Sequence, residues 1–333
     1  MLERGGGEFI SAGILEDGAG LAARRGPAGD ILKEIQEPMR SAPAVERATD
    51  LGLRVRQLSD LPPLSPVAQQ LLAILANDQV EIGPLARTIE LDPGLTARIV
   101  GLARSAFFGY PRPVYTVRDA VVRVLGLDTV KSLALTLALT GHFHVNEAIG
   151  LDLARYWVTS LVTAASARTL AARVTIAGAP DPDGAYLGGL LHNLGLLVMT
   201  HVFEDEMGQV LALAPGAPDA SLTIVEQEVL GVDHHQVGGW LADRWHLPSE
   251  VVVVMEHHHE PEYRGLHWPY ARLIGACSRL AEWRLDHEDG DLGDTALFED
   301  LGIAEDAVVA LRAVYEERFE SLRELASTLA QAR

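Results

Sequence analysis

Residues 185–201 read AYLGGLLHNLGLLVMTH, apolar almost throughout, with His192-Asn193 set in the middle. That length and composition predict a helix buried in a core, with Leu190, Leu191, Leu194 and Leu197 as its packing residues. The same reading extends outward in both directions. Upstream, Leu64, Val67, Leu71, Leu72, Ile74 and Leu75 fall on one face at helical spacing behind Pro62-Pro63. Asp92-Pro93 is an N-cap followed by proline at the first helical position. Thr116 and Asp119 have capping-box spacing ahead of Ala120–Leu125, which Gly126 closes in the left-handed conformation, and Asp128 caps Val130–Leu139. Tyr156–Val174 is long and Ala-rich. Downstream, Thr223 and Glu226 form a capping box before Val229. Ile303–Leu329 places Val308, Leu311, Tyr315, Phe319, Leu322 and Leu325 on the buried side of one or two amphipathic helices. Val251–Val254 is a lone β-branched run without a partner strand, so it too is read as helix. Loops are expected at Gly178–Gly184, Pro215–Asp219 and Asp286–Asp294. The predicted fold class is all-α.

The chain has 333 residues, 48% hydrophobic and 22% charged, a balance that fits a folded globular protein of one large domain or two. Its one cysteine, Cys277, removes any intrachain disulfide and points to a reducing compartment. Met1–Ile10 lacks the basic start and apolar run of a secretion signal. The apolar stretches Leu133–Leu139 and Leu194–Met199 fall short of the ~18 to 20 residues that span a bilayer. A soluble, cytoplasmic protein is expected. Residues 1–50 carry Gly5-Gly6-Gly7, Pro27, Pro38 and Pro43 without apolar periodicity, and are read as a flexible tail with one short helix near Ile31–Ile35 that adds little to folding.

Net charge is −19, and its distribution is uneven: residues 1–180 hold 18 acidic and 18 basic side chains, residues 181–333 hold 28 and 9. The second half repels phosphate backbones, which argues against nucleic acid binding by that half, and the apolar runs are too short to span a bilayer, so neither nucleic acid nor membrane is expected as a partner. A protein with a basic face is the favoured one.

The 12 histidines are clustered. His192-Asn193, His234-His235 and His257-His258-His259 ahead of Glu260 lie on or beside predicted helices. Imidazoles gathered from separate helices make a transition-metal site, normally with carboxylates to bridge a metal pair and activate its water. Adjacent helical residues point about 100° apart, so at most one of each pair serves a single site. Taken singly, each histidine has a hydrogen-bonded structural role as its commoner fate. Cys277 reads as a buried, inert thiol, and Gly188-Gly189 and Gly238-Gly239 as places of close helix packing rather than phosphate loops.

Leu190-Leu191-His192-Asn193-Leu194-Gly195 resembles the His-Asp signature of the HD phosphohydrolase superfamily. The order of Glu226, Gly231-Val232-Asp233-His234, Gly238, Trp245-His246-Leu247-Pro248 and His258-His259-Glu260-Pro261 resembles its HDOD branch, the HD-related output domains of bacterial signalling proteins. Upstream, Leu61-Pro62-Pro63-Leu64, Asp92-Pro93-Gly94-Leu95-Thr96 and Ser105-Ala106-Phe107-Phe108-Gly109 agree. The resemblance runs from about Leu58 to about Ala281. It implies a helical N-terminal lobe (51–145) packed on an HD-like helical lobe (146–285), together an HDOD domain over 51–285, with residues 286–333 forming an acidic loop and C-terminal amphipathic helices that pack on it.

Three positions depart from the superfamily's ligand pattern. Asn193 stands where active enzymes have Asp, Thr159 where relatives often have His, and Ser278 where a late Asp falls. His192, Asn193, His234, His258 and His259 are therefore expected to be vestigial, with no metal, no other cofactor and no catalytic residue. Gly109-Tyr110-Pro111 spells the tripeptide of the HD-GYP phosphodiesterases but precedes His192, whereas in those enzymes it follows the histidines; Gly265-Leu266-His267-Trp268-Pro269 holds that later place. The expected function is a non-catalytic signal-transduction module that binds signalling proteins. Two alternatives stay open: a metal-dependent HD-type phosphohydrolase acting on nucleotides, and a domain that senses a cyclic dinucleotide without cleaving it, through arginines such as Arg104, Arg112 or Arg118.

Overall fold

The computed structural model describes residues 63–77, 79–214, 219–287 and 295–331, with the side chains of 147, 219–220, 295 and 314–315 excepted. The expected tail at 1–50 and most of the acidic loop lie outside these residues. The described residues belong to one unit, Pro43–Arg333, and none of them forms a strand.

Short polar caps start the N-terminal helices where the sequence places them. In α1 (Pro66–Leu75), Ser65 accepts a hydrogen bond from the Ala68 amide and Pro66 occupies the first turn. Helix α2 covers Ile82–Glu90. In α3 (Pro93–Arg104), Asp92 accepts from the Leu95 amide at 3.0 Å, removing one of the donors that a helix start leaves unpaired. Thr116 caps α4 (Val117–Ala120), accepting from the Asp119 amide, and the chain continues through a π-helical turn over Val121–Leu125. Gly126 follows with φ +82° and ψ 166°, so its φ is positive but it is not the left-handed helical cap expected. It serves instead as N-cap of α5 (Leu127–Thr140). Asp128 thus sits inside the first turn, ion-paired with Lys131 at 2.7 Å, rather than capping.

Helix α5 is buried on nearly every face and packs on α1 and on α7 (Pro182–Leu191), joining the two halves of the domain. The central element is α6 (Leu153–Ala171), capped by Asp152, against which α7, α13 (Trp268–Asp286) and α14 (Glu305–Gln331) all pack. A Cβ on Gly189 of α7 would lie 2.5 Å from the Ala164 Cα of α6, so only glycine permits this crossing. Helix α14 is continuous and buries Val308, Leu311, Phe319, Leu322 and Leu325, as the sequence predicts; the Tyr315 side chain lies outside those described.

Three expectations need correction. The apolar run 185–201 is not one helix: it divides at His192-Asn193 into α7 and α8 (Leu194–Val202). The combined stretch Pro182–Val202, 21 residues, is long and apolar enough by length and composition to cross a membrane, longer than the apolar runs that the sequence singles out, and 89% of its apolar window is buried in this fold. The loop expected at Gly178–Gly184 is shorter, because Asp181 caps α7 through the Asp183 and Gly184 amides. Thr223 and Glu226 form no capping box. Helix α10 (Asp219–Leu230), which follows α9 (Glu204–Leu213), already includes both, which turns Glu226 inward.

Candidate functional site

The break at His192-Asn193 sets the site. His192 closes α7, and Asn193, with φ −101° and ψ 18°, is the N-cap of α8 without a side-chain cap bond. The His192 Nδ1–H donates to the Gly189 carbonyl at 2.7 Å, which puts the imidazole lone pair on Nε2. Ser278 of α13 sits 3.2 Å from that Nε2, and with this tautomer its hydroxyl is the donor. Ser278, which the sequence resemblance sets where a late acid is expected, is therefore a neutral partner of His192. Both side chains are buried.

Helix α11 (His234–Arg244) begins beside α8, because Asp233 accepts from the Gln236 amide and fixes the first turn. A Cβ on Gly195 would run into the His234 carbonyl, so glycine lets α8 and α11 approach this closely. Glu226, fully buried, accepts two hydrogen bonds through the same oxygen: from the His234 backbone amide at 2.9 Å and from Nδ1–H at 2.7 Å. Its carboxylate orients an imidazole, and its other oxygen is buried without a hydrogen-bond partner among the described residues.

The third strip of chain leaves α12 (Ser249–His257) at its C-terminus. Glu260 precedes Pro261, and a residue before proline is pushed out of the helical region. His258 and His259 consequently lie in a turn. His258 keeps helical dihedrals and donates Nδ1–H to the Val254 carbonyl at 2.8 Å. Gly275 of α13 lies so close to the His258 carbonyl that no side chain fits between them.

These segments bring the histidines into one cluster. Ring centroids are 5.0 Å apart for His192 and His258, 4.6 Å for His258 and His235, 4.2 Å for His235 and His234, 4.4 Å for His258 and His259, and 4.8 Å for His235 and His259. His258 and His259 both enter the cluster; the helix has ended there, so the 100° spacing of adjacent helical residues does not apply to that pair. His257 points elsewhere, stacked on Tyr263 with ring centroids 3.9 Å apart. Thr159 and Asn193 line a separate cavity of about 110 Å³ together with Arg155, Tyr156 and Glu282. The Asn193 Oδ1 is buried and has no hydrogen-bond partner among the described residues.

The sequence reading did not single out two functional features: His235 as the member of its pair nearest the 258–259 turn, and Glu226 as the carboxylate that holds His234. Cys277 is buried, and burial pushes its thiol up, away from reactivity. The Gly109-Tyr110-Pro111 segment follows a one-turn helix, with Gly109 at φ +58°, away from the histidines in the chain.

A dinuclear centre needs anionic oxygens shared between its metals. The residues present do not fit one. The described cluster of possible ligand atoms is His235, His258 and His259, without a carboxylate; Asn193 brings an amide, Ser278 is hydrogen-bonded to His192, and Glu226 is committed to His234.

The helices and the histidine cluster define an HD-like all-α domain. A family model described as the HDOD domain matches residues 61–261, and the chain belongs to that family. Among solved structures, a protein of Marinobacter aquaeolei VT8, provisionally named a signal transduction protein, aligns with a TM-score of 0.72 and 29% identity over 86% of this chain and 66% of its own. One from Shewanella amazonensis SB2B, provisionally named a phosphohydrolase, aligns with a TM-score of 0.66 and 25% identity over 83% of this chain and 97% of its own. An uncharacterized protein of Treponema pallidum (strain Nichols) is 27% identical over 206 residues, 61% of this chain. The chain spans 38% of that relative's length.

Proposed function

We propose that this HDOD protein is a non-catalytic signal-transduction module that binds protein partners in the cytoplasm and relays a regulatory state. One observation carries the reading: at the positions where the resemblance to active HD enzymes places acid, Asn193 brings an amide that lines a neighbouring cavity and Ser278 a hydroxyl hydrogen-bonded to His192 Nε2. Water on a metal pair gains its nucleophilicity from two Lewis acids held by anionic ligands, and neutral side chains do not supply that charge. The provisional name of the Marinobacter protein supports the signalling part.

The acidic excess of residues 181–333 supports a partner with a basic face. In the described part it includes exposed Glu204, Asp205, Asp243, Glu262, Glu305, Asp306, Glu317 and Glu320. The purified full chain, supplied with Mn²⁺ or Fe²⁺, is expected to leave cyclic dinucleotides and generic phosphodiesters intact. Turnover that disappears in His192→Ala would overturn the reading and favour a phosphohydrolase, the name that the Shewanella protein carries provisionally.

A further inference from the structure

We propose that His235, His258 and His259 form a mononuclear site for a borderline divalent cation of the Zn²⁺ type, displaced from the His192-Asn193 position. The inference is independent of the signalling reading. One ligand nitrogen from each of these three imidazoles lies within 4.8 Å of the others. Three nitrogens at about 2.0–2.1 Å from a tetrahedral zinc stand roughly 3.3–3.4 Å apart, so closure moves each ring by no more than about 1 Å.

A second observation points the same way. The His258 Nδ1–H donates to the Val254 carbonyl at 2.8 Å, which fixes its tautomer with the lone pair on Nε2. This is the outer-shell pattern of metal-binding histidines, in which the ring nitrogen away from the metal is held by a backbone carbonyl or carboxylate. The chemistry of the donor set selects the ion. Neutral imidazoles without carboxylates suit zinc and its neighbours and do not suit Mg²⁺ or Ca²⁺, which take oxygen.

The site also has an entrance and a rigid floor. His259 is only half-buried, which leaves the fourth position open to a water or a small anion from solvent. His235 is fixed by the first turn of α11, whose start Asp233 caps, and His258 by the close approach of Gly275. His192 and His234 have the same Nδ1–H pattern, toward the Gly189 carbonyl and the Glu226 carboxylate, but the ligand atoms that lie within 4.8 Å of one another belong to His235, His258 and His259, and the His192 Nε2 has the Ser278 hydroxyl 3.2 Å away. Occupancy would cross-link the start of α11 to the turn after α12, so a bound ion stabilises the fold by an amount that grows with the logarithm of its concentration over its Kd.

The test uses the full chain, stripped with chelator and titrated with Zn²⁺ by calorimetry and with Co²⁺ by visible absorption. One ion per chain is expected, with the intense visible bands of a tetrahedral Co²⁺ site and a rise in Tm on adding Zn²⁺. His259→Ala, at a half-buried turn position where folding is checked by circular dichroism, is expected to weaken binding by about 100-fold or more, since losing even an outer-shell partner costs up to that much. His192→Gln is expected to keep the binding. No specific ion, two ions per chain, or binding that follows His192 and ignores His259 overturns the site. None of these results by itself bears on phosphodiester turnover, so failure here and failure of the signalling reading are separable.

Discussion

Glu226→Ala removes the acceptor of two buried hydrogen bonds, the His234 amide at 2.9 Å and its Nδ1–H at 2.7 Å. A hydrogen bond to a charged acceptor contributes about 1.5–3 kcal/mol, and both donors would stay behind in a site where the carboxylate is fully buried. Simple addition gives about 3–6 kcal/mol. Some relaxation trims the upper end, and a buried pair broken on one side typically costs about 3–5 kcal/mol, which is the expected loss. At roughly 2–4 °C per kcal/mol for a domain of this size, Tm falls by roughly 10 °C. Glu226→Gln keeps one acceptor oxygen and the side-chain volume, so its expected loss is smaller, about 1–2 kcal/mol. Urea denaturation of the three proteins, with the slope compared so that a change of denatured state is recognised, measures the series. A loss below about 1 kcal/mol for Glu226→Ala would refute the idea that this carboxylate holds the start of α11.

Leu191, fully buried in α7, should lose about 2–5 kcal/mol on substitution by Ala, read by the same unfolding assay; a loss below about 0.5 kcal/mol would mean that the leucine face does not fill the core. Gly195→Ala drives a methyl group into the His234 carbonyl and should cost about 3 kcal/mol or prevent folding, whereas Gly101→Ala, where a Cβ meets nothing within 4 Å, should be neutral or stabilising. Burial holds the Asp183 carboxyl above its ordinary range, against the opposing pull of Arg168 and with the support of Asp128 and Asp181. A folded-state value above the unfolded one contributes stability that is present below the unfolded value and lost as pH rises through the folded one. Asp183→Asn should therefore remove a fall in stability with rising pH just above the ordinary carboxylate range, making the acid limb of the stability–pH profile steeper there, and an unchanged profile would contradict the burial effect. Capture experiments should show partner binding that weakens with salt; binding indifferent to salt would count against a basic partner face.

The helices were legible because their signals are local. Ser65, Asp92 and Thr116 each cap where a short polar side chain can reach an amide two or three residues on. The α12 helix was legible despite its four valines because a strand needs a partner. The division of 185–201 was not, since His192 and Asn193 are compatible with an unbroken helix and only the Asn193 backbone dihedrals reveal the break. Much the same holds for Glu226, whose role depends on α10 lying beside the start of α11 and which, read locally, looks like a capping residue. The placement of both His258 and His259 in the cluster did carry a local signal, the Glu260-Pro261 step that ends α12, and weighing it would have lifted the one-in-a-pair rule. The family motifs fixed the order of the histidines, while the choice of His235 over His234 beside them required coordinates.

The central claim is that the acids lost at Asn193 and Ser278 leave a histidine cluster unable to hold a metal pair. Elemental analysis of the full chain after loading with excess Mn²⁺, Fe²⁺ or Zn²⁺ and extensive dialysis tests it most directly. No more than one ion per chain is expected to remain, and its retention should be insensitive to His192→Gln. Two tightly retained iron or manganese ions per chain, both lost on that substitution, would contradict it.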